Sequence, residues 1–215
     1  MTRRLVLAGM LTSAALGCAL SAQAANWEKL YNGKDLSGWH VESGKLEAWA
    51  AKGELLSCVK PGGGYLATDK EYGDFELKVD YRIPAAGNSG IGLRFPKGGW
   101  PSTAGMEIQI LDDEHPMYKG LTSVHWNGSI YTHVAPKTRA NKPVGEWNHY
   151  EIRCQGPKVV VKLNDTEVIN VNLDDYNDSL GKGKVALGKR PRKGLVGLQS
   201  HGDPVDFKNI EIREL

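Results

Sequence analysis

Residues 88–113, NSGIGLRFPKGGWPSTAGMEIQILDD, read as two strands joined by a glycine-rich excursion. In the second strand, residues 105–111, Met106, Ile108 and Ile110 point one way. Glu107, Gln109 and Leu111 point the other, because successive side chains of a strand alternate between its faces. The underside is apolar, and Glu107 with Gln109 above it makes one wall of a polar cleft. Asp112 and Asp113 stand at its end.

The same period recurs outward from this stretch. Residues 75–83, FELKVDYRI, alternate strictly between apolar and charged. Strand-like runs at 54–59, 65–68, 90–95, 129–134, 147–154, 159–163, 167–171, 194–200 and 205–215 lie between Gly, Pro, Asn and Asp clusters. Asn164-Asp165 is a hairpin-turn pair. No long segment carries apolar residues at helical spacing. About a dozen short strands so spaced predict an all-β sandwich or jelly roll. With no composition break, low-complexity segment or internal repeat, residues 25–215 read as one domain.

Residues 1–24 read as a secretory signal: Arg3-Arg4, a mostly apolar stretch to Leu20, and the small-residue site Ala22-Gln23-Ala24. The expectation is an exported protein, periplasmic or extracellular. Cys18 offers a lipoprotein alternative, although Ala15-Leu16-Gly17 fits a lipobox poorly. The apolar run is short for a bilayer span and nothing later is longer. Removing Arg3 and Arg4 leaves 25 basic residues against 25 acidic. That balance argues against nucleic acid or a membrane surface as partner. Cys58 and Cys154 either pair as one disulfide in an oxidising compartment or serve as small buried hydrophobes.

Among the candidate site residues, Glu107 and Gln109 share a face, with Asp112 three residues beyond. A carboxylate between apolar neighbours on a sheet can have a raised pKa and act as acid or base. Arg94 and Asn88 lie on the adjacent strand. Arg94 is either a clamp for an oxyanion or sugar hydroxyl, or a structural ion-pair partner of Glu107. His201 ends a strand before a Gly turn, where it can overhang a cleft, and His125 lies in a ring-rich loop. His40, His115, His133 and His149 are weaker candidates. Trp100, Trp126 and Tyr131 suit stacking on a sugar ring or filling a core. Asp112-Asp113-Glu114 either binds calcium or is simply solvated. No zinc spacing, nucleophile elbow, Walker loop or dinucleotide fingerprint occurs.

Six blocks, in order from about Trp27 to Leu215, resemble the 3-keto-disaccharide hydrolase domain family. They are residues 30–39 (LYNGKDLSGW), 72–77 (YGDFEL), 88–94 (NSGIGLR), 107–112 (EIQILD), 145–148 (GEWN) and 197–202 (GLQSHG). The resemblance implies a concanavalin A-like jelly-roll sandwich of two curved antiparallel sheets, with its site on the concave face. It also implies export and action on oxidised glycosides. Glu107-x-Gln109-x-x-Asp112 is similar to the E-x-D-x-x-E strand of laminarinase-type glycosidases. Here Gln109 replaces the middle Asp and Asp112 the final Glu, which puts a two-carboxylate displacement in doubt.

A ketone at sugar carbon 3 opens another route. It acidifies the proton on carbon 2, so one base, one oxyanion stabiliser and one acid suffice for elimination and later hydration. The expected roles are Glu107 as base, Arg94 or His201 as stabiliser, and His125 or Asp112 as acid. A divalent cation can replace the stabiliser. Asn88, Gln109, Gln199, Trp100, Trp126 and Tyr131 are expected to bind the sugar. The rivals are a non-catalytic carbohydrate-binding module and an interaction domain of a surface assembly.

Overall fold

A computed structural model describes residues 26–60, 62, 64–178 and 185–215. The predicted signal, Cys18, Pro61 and Gly63 lie outside the described residues. The strands, in chain order, are β1 (Glu28–Lys29), β2 (Trp39–Ser43), β3 (Trp49–Lys52), β4 (Leu55–Cys58), β5 (Gly64–Thr68), β6 (Phe75–Arg82), β7 (Asn88–Phe95), β8 (Met106–Leu111), β9 (Asn148–Gln155), β10 (Lys158–Leu163), β11 (Thr166–Asn172), β12 (Leu195–Ser200) and β13 (Val205–Glu214). The larger sheet runs β11-β10-β9-β6-β13-β4-β3, with β1 also paired to β13. The smaller runs β2-β5-β12-β7-β8. The pairing is antiparallel throughout.

The two sheets share one apolar interior. From the larger sheet, Phe75, Leu77, Val79 and Tyr81 of β6 point into it, while Glu76, Lys78, Asp80 and Arg82 point out. Tyr150 of β9 stacks on Tyr81, with ring centroids 5.2 Å apart. From the smaller sheet come Ile91, Leu93, Met106, Ile108, Ile110, Val196 and Leu198. β8 is buried on both faces. Its inner row meets the core, and Glu107 and Gln109 lie beneath loops on the outer face.

Three expectations change. β2 and β3 are strands although their sequences, WHVES and WAAK, carry little alternation; pairing with β5 and β4 supplies what local pattern lacks. Residues 129–134, predicted as a strand, run only briefly along the edge of β8. Gln109 N donates to Ser129 O and Tyr131 N to Glu107 O. The chain then turns tightly, with Thr132 at φ 65°. Cys58 and Cys154 are free and buried. They sit on β4 and β9, which two strands separate. Three inter-strand spacings, about 14 Å, exceed what a disulfide spans.

Candidate active site

The outer face of the smaller sheet is built from the alternate residues of β5, β12, β7 and β8. Gly92 of β7 pairs with Glu107, and Gly90 with Gln109. A methyl group at Gly90 would stand 2.5 Å from Glu107 Oε1, so the glycine is the floor on which that carboxylate rests. Glu107 is 4% exposed. Gln199 of β12 gives one Nε2 hydrogen to Glu107 Oε1 at 3.0 Å and the other to Tyr65 Oη at 2.7 Å. Tyr65 Oη, accepting from Gln199, gives its own hydrogen to Glu107. Burial pushes the Glu107 carboxyl up to about 7, against the hydrogen bonds of Tyr65 and Gln199, which pull it down. Gln199 Oε1 is left buried and without a partner among the described residues.

Above Glu107 opens a cleft of about 230 Å³. Gln109 and Asn88 line one side, with Gln109 Nε2 donating to Asn88 Oδ1 at 3.3 Å. Tyr131, Trp100 and Ser102 line other parts, and His201 stands exposed at its margin. Trp100 meets Tyr65 edge-on, 5.1 Å between centroids. Its loop is tied down by Glu42, whose carboxylate accepts from Gly98 N. Burial, and then the nearby Glu107 charge, raise the Tyr131 phenol above its ordinary value.

The structure therefore gathers Glu107, Asn88, Gln109, Gln199, Trp100, Tyr131 and His201 at one place. It does not bring Arg94 there. A β-bulge opposite Leu195 and Val196 places Arg94 at φ 51°, and Phe95 takes its place in the outward row. Phe95 packs with Ala67 and Leu195, 6.0 Å from the Tyr65 ring. The wholly buried Arg94 donates instead to Gly73 O, Gly156 O and Asp74 Oδ1 at 2.8, 2.7 and 3.0 Å. Its carboxylate partner is Asp74, not Glu107.

Asp112 is also elsewhere. Its Oδ2 accepts from Ala86 N at 2.8 Å and its own N–H binds Gly87 O, closing the turn between β6 and β7. His125 is bound to Thr122 Oγ1 at 3.0 Å and packs edge-on behind Tyr131. Trp126 lies under the Arg139 guanidinium at 4.3 Å and lines a separate hollow with Tyr118 and Leu121. Tyr65 was not anticipated as a site residue: a four-residue run, YLAT, does not announce which of its faces is the polar one.

A larger hollow, about 350 Å³, lies on the outer face of the larger sheet beside Trp27. Its Glu76 is bound by Arg213 and Arg153. Burial pushes that carboxyl up, but the two arginines outweigh it and hold it below its ordinary value. A carboxylate so neutralised is a poor proton acceptor, in contrast to Glu107. Among the described residues, no group of three or more His, Cys, Asp and Glu side chains could hold a metal ion. No described helix is long and apolar enough to cross a membrane.

Two antiparallel sheets with a polar cleft on the outer face of the smaller define a concanavalin-like sandwich. A β-glucanase of Bacillus licheniformis has the same fold, with a TM-score of 0.52 at 12% identity over 90% of this chain and 99% of that one. The chain itself belongs to the 3-keto-α-glucoside-1,2-lyase-like domain family, which it matches over residues 26–213. It is 26% identical to a 3-keto-disaccharide hydrolase of Bacteroides thetaiotaomicron, across 91% of this chain and 81% of the relative. A crystal structure from Parabacteroides distasonis, described as a candidate glycosyl hydrolase, superposes with a TM-score of 0.77 at 30% identity, covering 88% of this chain and all of that one. These likenesses support a glycoside hydrolase-like function.

Proposed function

We propose that the protein cleaves 3-keto-glycosides by elimination across carbons 1 and 2, followed by hydration. The observation that carries this reading is Glu107: a buried carboxylate, lifted to about 7, at the floor of a cleft sized for one sugar ring. A base with that pKa is half ionised near neutrality and strong enough to take an activated C–H proton. Glu107 removes the proton on carbon 2, and the electron pair moves toward the carbon 3 ketone as an enolate. The enolate collapses, restoring the ketone and forming a double bond between carbons 1 and 2. The glycosidic oxygen leaves carbon 1 with a proton. Water then adds at carbon 1 and a proton returns to carbon 2, giving the free 3-keto sugar.

The donors beside the cleft are Tyr131 and His201, in place of Arg94, Asp112 and His125. Tyr131, next to Glu107, is assigned to the enolate oxygen, and His201, at the open margin, to the leaving oxygen. Asn88, Gln109 and Trp100 hold the ring. Export through a signal over residues 1–24 belongs to the same proposal and rests on the pattern of those residues alone.

A carboxyl raised by burial at the base of a cleft favours an enzyme over a carbohydrate-binding module. The test is Glu107→Gln assayed on a 3-keto-α-glucoside, with exchange of the carbon 2 proton followed by NMR. Turnover and exchange are expected to fall by about 10²–10⁴ while the variant stays folded. A folded variant with undiminished turnover would remove Glu107 from the role of base. Sugar binding by the unaltered protein without turnover or exchange would make it a lectin.

A further inference from the structure

Arg190 is 5% exposed. Burial is the one cause acting on its guanidinium, and no carboxylate among the described residues offsets it. Among the described residues, its hydrogen bonds go to neutral acceptors. Nε donates to Val185 O at 3.0 Å, and Nη1 to Ser102 O and Gly105 O at 3.0 and 2.9 Å. Nη2 lies 3.0 Å from His133 Nε2. Arginine only donates, so His133 accepts at Nε2 and carries its hydrogen on Nδ1. Nδ1 is 2.8 Å from Tyr131 O. The same guanidinium thus reaches two residues that line the cleft: Ser102 directly, and Tyr131 through His133.

The arrangement is costly for a structural filler. A buried cation with no counter-charge among the described residues carries a desolvation cost that neutral acceptors repay only in part. What it holds is also strained: Thr132, β-branched, sits at φ 65° in the turn between Tyr131 and His133. Strain and buried charge are retained where a side chain must be aimed.

We propose that Arg190 and His133 form a positioning pair that sets the Tyr131 phenol beside Glu107. The assignment rests on the reading of Glu107 as the base of the elimination. Neither residue touches the sugar; both act through Tyr131.

Steady-state kinetics of the full chain on a 3-keto-α-glucoside test this, using Arg190→Met and His133→Leu, alone and combined with Tyr131→Phe. Each single variant is expected to lower kcat by about ten- to a hundredfold, with KM within about threefold of the parent. In the Tyr131→Phe background the same changes are expected to cost less than about threefold more, because the phenol they aim is gone. Should Arg190→Met fail to fold, His133→Leu carries the test, since it keeps the three bonds from Arg190 to carbonyls. Equal losses in both backgrounds, an unaltered kcat in His133→Leu, or full activity in Tyr131→Phe would overturn the proposal. Failure of the underlying reading looks different: folded Glu107→Gln would then retain full turnover.

Discussion

At the scale of single residues, the chemistry turns on how Glu107 is solvated. Its carboxyl is raised by burial and partly lowered again by Tyr65 and Gln199. A base must be ionised to work, so kcat/KM is expected to fall with slope one as pH drops below about 7. Tyr65→Phe removes one of the bonds that stabilise the ionised form. The midpoint of the acid limb should therefore move to higher pH, and a pH–rate profile of the folded variant checks the direction. A midpoint that stays put would mean that Tyr65 does not bind the ionised carboxylate. The orphaned Gln199 Oε1 belongs to the same picture. A buried acceptor without a partner costs about 1–3 kcal/mol, and such costs gather where a site rather than the fold dictates the side chain.

At the scale of elements, β7 shows how one irregularity divides labour. Up to Leu93 the strand keeps its alternation, with Gly90 and Gly92 giving the carboxylate and the Trp100 loop room to lie on the sheet. The bulge at Arg94 then hands the outward row to Phe95 and sends the guanidinium to Gly73, Asp74 and Gly156. Arg94 is a fastener between the start of β6 and the β9–β10 hairpin. Arg94→Met should lower unfolding free energy by about 2–4 kcal/mol, because it removes three hydrogen bonds made by a wholly buried side chain. Activity per folded molecule should hardly change. Denaturant melts and active-site-normalised rates decide between this and a clamp on substrate, which would lose kcat or KM at full stability.

At the scale of the whole molecule, two sheets closing on one apolar interior keep both cysteines out of reach of each other and of solvent. Burial raises both thiols, Cys154 to about 11. Reductant should leave the melting temperature where it is. A thiol reagent should modify Cys58 and Cys154 no faster than global unfolding exposes them. Quick labelling of either in the native protein, or a reductant-sensitive melt, would contradict the structure.

Much of this was legible in the chain. The period-2 pattern of 75–83 and 105–111 declared the all-β class, and it also put Glu107 and Gln109 on a polar face. Family blocks in order pointed to the concanavalin-like sandwich. Alternation carries that much because a strand with one buried face must repeat every second residue. Tertiary structure alone decided the rest. It set Tyr65 and Gln199 against Glu107 from two other strands, removed Arg94, Asp112 and His125 from the cleft, and kept the cysteines apart. Those outcomes depend on a bulge, a tight turn and strand order, which are set by pairing between segments distant in sequence and leave no local period to read.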